Sequence, residues 1–154
     1  MYEKIVVPLD GSKVGEAALP YVEDIVSKLS PKVKTEVVLL QVISREHVHT
    51  VGGYAPVTTP YGEKQLEETE KKAMDYLNQT GEALRTKGVT VTAKVTVGDA
   101  SEQSVKVAEE IDANLIAMST HGRSGLSRWA FGSVTDNVLR REGKIPIAMV
   151  RAPK

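Results

Sequence analysis

The sequence contains no cysteine, and its charges cancel, with Lys+Arg and Asp+Glu both at 20. Without cysteine there is no disulfide framework, no thiolate chemistry and no zinc site built on sulfur. Without a basic excess, broad binding to nucleic acid or to an anionic membrane is disfavoured. No apolar run approaches the ~20 residues of a membrane-spanning helix, and no charged-then-apolar leader precedes the first apolar run. We therefore expect a cytoplasmic protein that binds neither nucleic acid nor membrane.

The composition that remains is that of a globular domain. Hydrophobic residues make up 41% of the 154 residues and charged residues 26%, which is enough apolar material for a full core. No internal repeat or linker divides the chain, so residues 1–154 are predicted to form a single domain.

Apolar runs alternate along the chain with segments of helical periodicity. The predicted strands are Ile5–Leu9, Val37–Ile43, Val89–Val97, Leu115–Met118 and Lys144–Val150. This alternation is typical of an α/β fold with a doubly wound, five-stranded parallel sheet and helices on both faces. The usual strand order, 3-2-1-4-5, places the first and fourth strands side by side where the winding reverses. Ligands bind outside the carboxyl ends of the strands at such a reversal.

Residues 44–62 (SREHVHTVGGYAPVTTPYG) show no periodicity and contain adjacent glycines and two prolines. They are predicted to form an exposed insertion loop. His47 and His49 could form a metal-binding H-x-H pair, but no cysteine or carboxylate cluster joins them, and a solvated loop is the simpler interpretation.

The most informative stretch runs from Leu115 to Glu142 and reads as a buried strand, a glycine-bearing loop and a helix. Ser133 is predicted to cap this helix, whose apolar stripe would consist of Val134, Val138 and Leu139. Glycines beside a helix start favour an anion site, because main-chain N–H groups can approach a phosphate there. The spacing is neither the dinucleotide fingerprint nor the Walker pattern, since no lysine precedes Ser133.

This stretch resembles the universal stress proteins of the UspA type, whose ATP-binding members carry G-x-x-G, nine residues, then G-[ST]. Here STHG at 119–122 corresponds to the first block and Gly132-Ser133 to the second, with Ser119 in place of the opening glycine. IVVPLDGS, the VGD turn and the final PIAMV follow in the family's order. The resemblance implies a Rossmann-like, adenine nucleotide alpha hydrolase-like fold and ATP as ligand. Mg²⁺ or Mn²⁺ would bind through the phosphates rather than in a protein cage.

The resemblance also implies roles for individual residues. Pro8, Asp10 and Val42 would border the adenine and ribose. Met118, Ser119 and His121 would line the ribose and the near phosphates. The phosphates would be held by Gly122, Arg123, Ser124, Gly125, Gly132, Ser133, Val134 and Thr135.

Several of these residues have a simpler structural alternative. Asp10 could serve only as a turn carboxylate, and Val42 is expected in the core in either case. His121 has no evident base partner, so catalysis by it is disfavoured. Arg123 could neutralise phosphate or lie on the surface.

Three function classes remain open. The first is an ATP-binding regulatory or stress-response module, and it is favoured. The second is a dimer of the same fold that acts through protein contacts without nucleotide. The third is an ATPase, which is disfavoured because a Walker lysine, a paired-carboxylate motif and an evident water-activating group are missing, although slow hydrolysis stays open. Family resemblance further implies a homodimer formed through the edge strand Ile145–Val150.

Overall fold

The structure is a computed structural model that describes residues 3–50, 53, 56–120, 133–141 and 143–152, without the side chains of residues 47–50 and 133. Its strands are β1 (Lys4–Leu9), β2 (Glu36–Ile43), β3 (Glu46–Thr50), β4 (Pro56–Pro60), β5 (Thr90–Val97), β6 (Leu115–Thr120) and β7 (Ile147–Arg151). Its helices are α1 (Ala18–Lys28), α2 (Glu63–Arg85), α3 (Ala100–Glu110) and α4 (Ser133–Arg140). A turn of 3₁₀ helix, Gly15–Ala17, leads into α1.

Five of the strands form one parallel sheet in the order β5-β2-β1-β6-β7. Numbered among themselves in chain order, these strands read 3-2-1-4-5, which confirms the predicted fold class and order. The winding reverses between β1 and β6, so the carboxyl ends of these two strands flank the crevice where ligands bind in folds of this class.

The sheet is buried on both faces because successive side chains of a strand point to opposite sides. Ile5 and Val7 of β1 belong to the core cluster that includes residues of α1 and α2, whereas Val6 belongs to the cluster on α3 and α4. All three side chains are fully buried. A central strand enclosed in this way must be apolar throughout, which explains the unbroken IVV run.

The prediction of an irregular loop over residues 44–62 is wrong. The segment instead contains an antiparallel pair, β3 and β4, whose register runs from Glu46 opposite Pro60 to Thr50 opposite Pro56. The β-branched residues of VTT at 57–59 favour extended backbone, and the two prolines lie at the ends of β4, where strands tolerate them. The predicted exposure is confirmed for residues 44–46 and for most of β4.

The two edges of the sheet differ in detail from the prediction. β5 is an edge strand, and the strict alternation of VTVTAKVTV at 89–97 is typical of that position, where a strand buries one face and leaves the other half-exposed. At the other edge, β7 begins at Ile147 rather than at Lys144. Pro146 has no N–H to give to the sheet, but its carbonyl accepts a hydrogen bond from Ile116 N at 3.0 Å and so leads the chain into β7.

Candidate functional site

A cavity of about 130 Å³ opens at the carboxyl ends of β1 and β6, at the reversal of the winding. Its walls are formed by residues of β1, β2, β6, α3 and α4 and of the turn between β1 and α1. Its lining residues are Pro8, Leu9, Asp10, Val14, Gly15, Val42, Ala100, Ser104, Met118, Ser119, Val134 and Thr135.

The structure brings together half of the residues that the sequence predicted for the site. Pro8, Asp10, Val42, Met118, Ser119, Val134 and Thr135 all line the cavity. Ser133 begins α4, but its side chain lies outside the described residues. Also outside them are His121, Gly122, Arg123, Ser124, Gly125 and Gly132. The role of every one of these residues in binding ATP stays a prediction.

Other lining residues were not predicted from the sequence. Val14 and Gly15 come from the turn that leads into α1, and Ala100 and Ser104 come from the first turns of α3. One signal was available for the first pair, since both closely follow the Asp10-Gly11-Ser12 turn. No comparable signal marks Ser104, because only the packing of α3 on the sheet brings it to the cavity.

The β1–α1 turn is held by hydrogen bonds centred on Asp10. Asp10 Oδ1 accepts from Ser12 N at 2.9 Å and from Ser12 Oγ at 2.5 Å. Ser12 Oγ in turn accepts from Gly15 N at 3.0 Å. The turn-carboxylate interpretation of Asp10 is therefore confirmed. It does not exclude a second role, because Asp10 is exposed and lines the cavity.

Ser119 connects this turn with β6. Its Oγ donates to the carbonyl oxygen of Gly15 at 2.6 Å, while its own carbonyl oxygen accepts from Thr135 Oγ1 at 3.4 Å. Because the hydroxyl hydrogen of Ser119 is used by Gly15, its oxygen offers a ligand only acceptor lone pairs. A ligand hydroxyl can donate to this oxygen, so it suits the position better than a phosphate oxygen, which can only accept a hydrogen bond.

Helix α4 presents its first turn to the cavity through Val134 and Thr135. The N–H groups at the start of the helix and the positive end of its dipole therefore lie at the cavity rim. Ser133 belongs to α4 itself, so it is not the cap that the sequence predicts, and the residue before it lies outside the described part of the chain.

The predicted apolar stripe of α4 is wrong in part. Val138 is buried, but Val134 and Leu139 are exposed by 36% and 40%. Thr135 is the residue of α4 that shares burial with Val138, three positions apart on one helical face. Val134 is exposed where it lines the cavity, and the hydroxyl of buried Thr135 donates to the carbonyl oxygen of Ser119 in β6.

The carboxylate residue Asp10 lines the β1 side of the cavity, and a second acidic residue, Glu16, follows in the chain without being part of the lining. Glu16 lies in the 3₁₀ turn, where its carboxylate accepts from Tyr76 Oη at 3.1 Å and pairs with Lys13 at 2.9 Å. Burial, followed by the hydrogen bond and charge of Glu16, raises the pKa of Tyr76 to about 12, and the charge of Asp10 adds to the effect. The cavity therefore combines apolar residues such as Pro8, Val42 and Met118 with the carboxylate of Asp10 beside β1 and the start of α4 beside β6.

Two further features of the described residues concern function. Within 3–50, 53, 56–120, 133–141 and 143–152, no group of three or more His, Cys, Asp or Glu residues could hold a metal ion. His47 and His49 lie in β3, and their side chains are not described. In the same part of the chain, none of the helices has both the length and the apolar character to cross a bilayer.

A model of the universal stress protein family matches residues 1–151 of the chain. Universal stress protein MJ0577 of Methanocaldococcus jannaschii is 30% identical over 161 residues, covering 98% of this chain and 96% of that protein. The solved structure of MJ0577 has a TM-score of 0.72 to this chain, with 27% identity, and covers 100% of this chain and 99% of its own.

Two more distant structures were solved with nucleotides. A universal stress protein in complex with cAMP has a TM-score of 0.65 at 19% identity, covering 99% of this chain and 98% of its own. The universal stress protein from Archaeoglobus fulgidus in complex with dAMP has a TM-score of 0.63 at 18% identity, covering 97% and 98%. At such identities the likeness establishes a shared fold.

Proposed function

We propose, since the chain belongs to the universal stress protein family, that it is an ATP-binding regulatory module of the stress response with little or no hydrolysis. One observation carries the proposal. Seven of the predicted site residues line a single cavity at the reversal of the sheet, and the first turn of α4 lies at its rim. Nucleotide-binding α/β folds combine the same two elements, a crevice at the strand ends and a helix start for phosphate.

The distribution of charge supports one orientation of the nucleotide. The base would lie against apolar Pro8, Val42 and Met118. The ribose hydroxyls are hydrogen-bond donors, and they would meet the acceptor oxygens of Asp10 and Ser119. The phosphates would extend away from the carboxylates towards the N–H groups at the start of α4. A bound Mg²⁺ or Mn²⁺ would screen the phosphates and be held by them.

Two solved structures with the same fold support an adenine nucleotide as the proposed ligand. Both cAMP and dAMP, which those structures contain, share the adenine base with ATP. We propose ATP for this chain because its STHG block at 119–122, nine residues and Gly132-Ser133 follow the spacing of the ATP-binding members of the family, with Ser119 in place of their opening glycine. Turnover is not proposed, since the sequence lacks the lysine and paired carboxylates that phosphoryl transfer uses.

We also propose that the protein is a homodimer formed through β7. This strand is one edge of the sheet, so one side of its backbone has no neighbouring strand in the described part of the chain. Met149 is exposed by 41%, whereas Ile145 and Ile147 are partly buried against the core cluster on α3 and α4. An apolar edge strand is a template for pairing with a second copy.

The proposed ligand can be tested directly. The purified protein is heated to release any bound small molecule, which is identified by mass spectrometry, and ATP and adenosine are then titrated by calorimetry. We expect ATP in the released fraction and tighter binding of ATP than of adenosine. No nucleotide in the released fraction, together with no heat of binding at millimolar ATP, would refute the proposal and favour a module that acts through protein contacts alone.

Hydrolysis is measured on the same preparation. Release of phosphate should not exceed that of a control containing ATP and metal without protein. A rate well above that control, abolished by Asp10→Asn, would identify the protein as an ATPase.

A further inference from the structure

A continuous set of hydrogen bonds joins the two walls of the cavity. It runs from Asp10 Oδ1 through Ser12 to the amide of Gly15, and from the carbonyl of Gly15 through Ser119 to Thr135. The set therefore links the end of β1, the entry to α1, the end of β6 and the first turn of α4. These four segments are the ones that the proposed nucleotide would touch together.

One bond in this set carries the long-range connection. The bonds among Asp10, Ser12 and Gly15 join residues no more than 3 apart in sequence, and they stabilise the turn locally. The bond from Ser119 Oγ to Gly15 O joins residues 104 apart. At 2.6 Å it has the length of a well-formed hydroxyl–carbonyl bond. Without this bond, the hydrogen bonds within the turn would remain, but the hydroxyl of Ser119 would no longer join the turn to β6.

We propose that Ser119 is a positioning residue that fixes the β1–α1 turn, residues 10–17, against the end of β6 and so holds the cavity ready for nucleotide. This role takes nucleotide binding at the cavity as its premise and therefore rests on the proposed function. Affinity depends on how much order a loop must gain on binding, because a preformed loop loses less entropy. The glycine that the family pattern carries at this position has no hydroxyl and cannot form this bond.

The chain offers a matched control in Ser104. It is also a serine among the residues that line the cavity, and it is fully buried. Its Oγ, however, donates to Ala100 O within α3 at 2.6 Å and joins no second wall. Ser104→Ala therefore removes a hydroxyl from another residue of the lining and leaves the bond between Ser119 and Gly15 intact.

The first experiment measures order in the protein without nucleotide. Amide hydrogen exchange is followed for Gly15, Glu16 and Ala17, whose N–H groups are bonded to Ser12 Oγ, Ser12 O and Val14 O. We expect roughly tenfold faster exchange in Ser119→Ala, restoration in Ser119→Thr, which keeps a hydroxyl, and no change in Ser104→Ala. Unchanged exchange in Ser119→Ala, or the same increase in both alanine variants, would overturn the proposal.

The second experiment measures ATP affinity by calorimetry alongside thermal unfolding of the free protein. We expect Ser119→Ala to bind ATP roughly fivefold more weakly, and Ser119→Thr to recover most of the loss. A residue that only stabilised the fold would lower the unfolding temperature and leave the affinity unchanged, and that result would also refute the proposal. If the unsubstituted protein binds no nucleotide, the proposed function fails, and hydrogen exchange alone still decides whether Ser119 positions the turn.

Discussion

A methyl group built on the Cα of Gly15 would lie 2.6 Å from Asp10 Oδ1, closer than carbon and oxygen approach without bonding. It would also lie 3.3 Å from Ser12 Oγ. The hydrogen bonds that orient Asp10 at the cavity therefore require glycine at position 15. The clash is with the end of an exposed side chain, so a larger residue would displace the carboxylate rather than the backbone.

Gly15→Ala is expected to weaken ATP binding about tenfold while changing the free energy of unfolding by less than about 1 kcal/mol. The affinity falls because Asp10 must leave the position in which Ser12 holds it. Calorimetry and urea unfolding measure the two quantities. Gly143→Ala is the control, because its added methyl would meet only ordinary contacts, the nearest at 3.9 Å to Val105. Equal ATP affinities in the two variants would show that the orientation of Asp10 does not matter.

Val134→Asp tests whether phosphate lies at the start of α4. Val134 is in the first turn of this helix, lines the cavity and is 36% exposed. A carboxylate there should repel the phosphates and weaken ATP binding by at least about tenfold, although it stabilises the helix start by ~0.5 kcal/mol.

Val134→Asn is the matched control, since it has the same shape without the charge. It should bind ATP more tightly than Val134→Asp, whereas adenosine should bind both variants equally in calorimetric titrations. Parallel losses for ATP and adenosine in Val134→Asp would place the phosphates elsewhere.

Tyr76→Phe should change how stability depends on alkaline pH. The folded protein raises the pKa of Tyr76 from 10.0 to about 12, so folding favours the neutral phenol. The stabilisation from this preference is complete below pH 10 and is lost as the pH rises through the folded value of about 12. The hydrogen bond to Glu16 should make the unsubstituted protein more stable than Tyr76→Phe by ~1 kcal/mol near neutrality, and the difference should shrink above about pH 10 as the phenol ionises.

Urea unfolding at about pH 8 and about pH 11 measures this difference. Tyr21→Phe is the control, because Tyr21 is an exposed tyrosine and has no such bond to Glu16 among those described. A constant difference across this pH range would mean that Tyr76 does not titrate as its surroundings indicate.

Met149→Lys tests the proposed dimer. A lysine on the exposed face of β7 should oppose close pairing of two edge strands and produce a monomer of 16.7 kDa in sedimentation equilibrium. Val57→Lys, at another exposed apolar residue but in β4, should behave as the unsubstituted protein does. A dimer that survives Met149→Lys would have to use a different surface.

The sheet could be predicted from the sequence because its central strands leave a clear signal. Strands such as β1 and β6 are enclosed on both faces, so they read as continuous apolar runs, and the helices between them show their own period. The sequence does not predict the β3–β4 pair, because the prolines at the ends of β4 and the adjacent Gly52 and Gly53 between the strands are typical of a loop, although half of the strand residues are β-branched.

The residues that line the cavity differ in how far the sequence alone predicts them. Residues next to a predicted strand end, such as Asp10 and Ser119, could be assigned to the site from topology. The bond between Ser119 and Gly15 could not, since it depends on two segments 104 residues apart meeting at 2.6 Å. Ser104 was missed for the same reason, as only the packing of α3 brings it there.

The opposed charges at the two ends of the crevice have a consequence for what the protein could sense. ATP, ADP and AMP present the same base and sugar, so the apolar end and the carboxylate wall would treat them alike. Any preference among them would have to arise at the phosphate end of the site, where their tails differ in length and where the first turn of α4 lies. Sensitivity of the protein to the length of the phosphate tail would then depend on that end of the cavity alone.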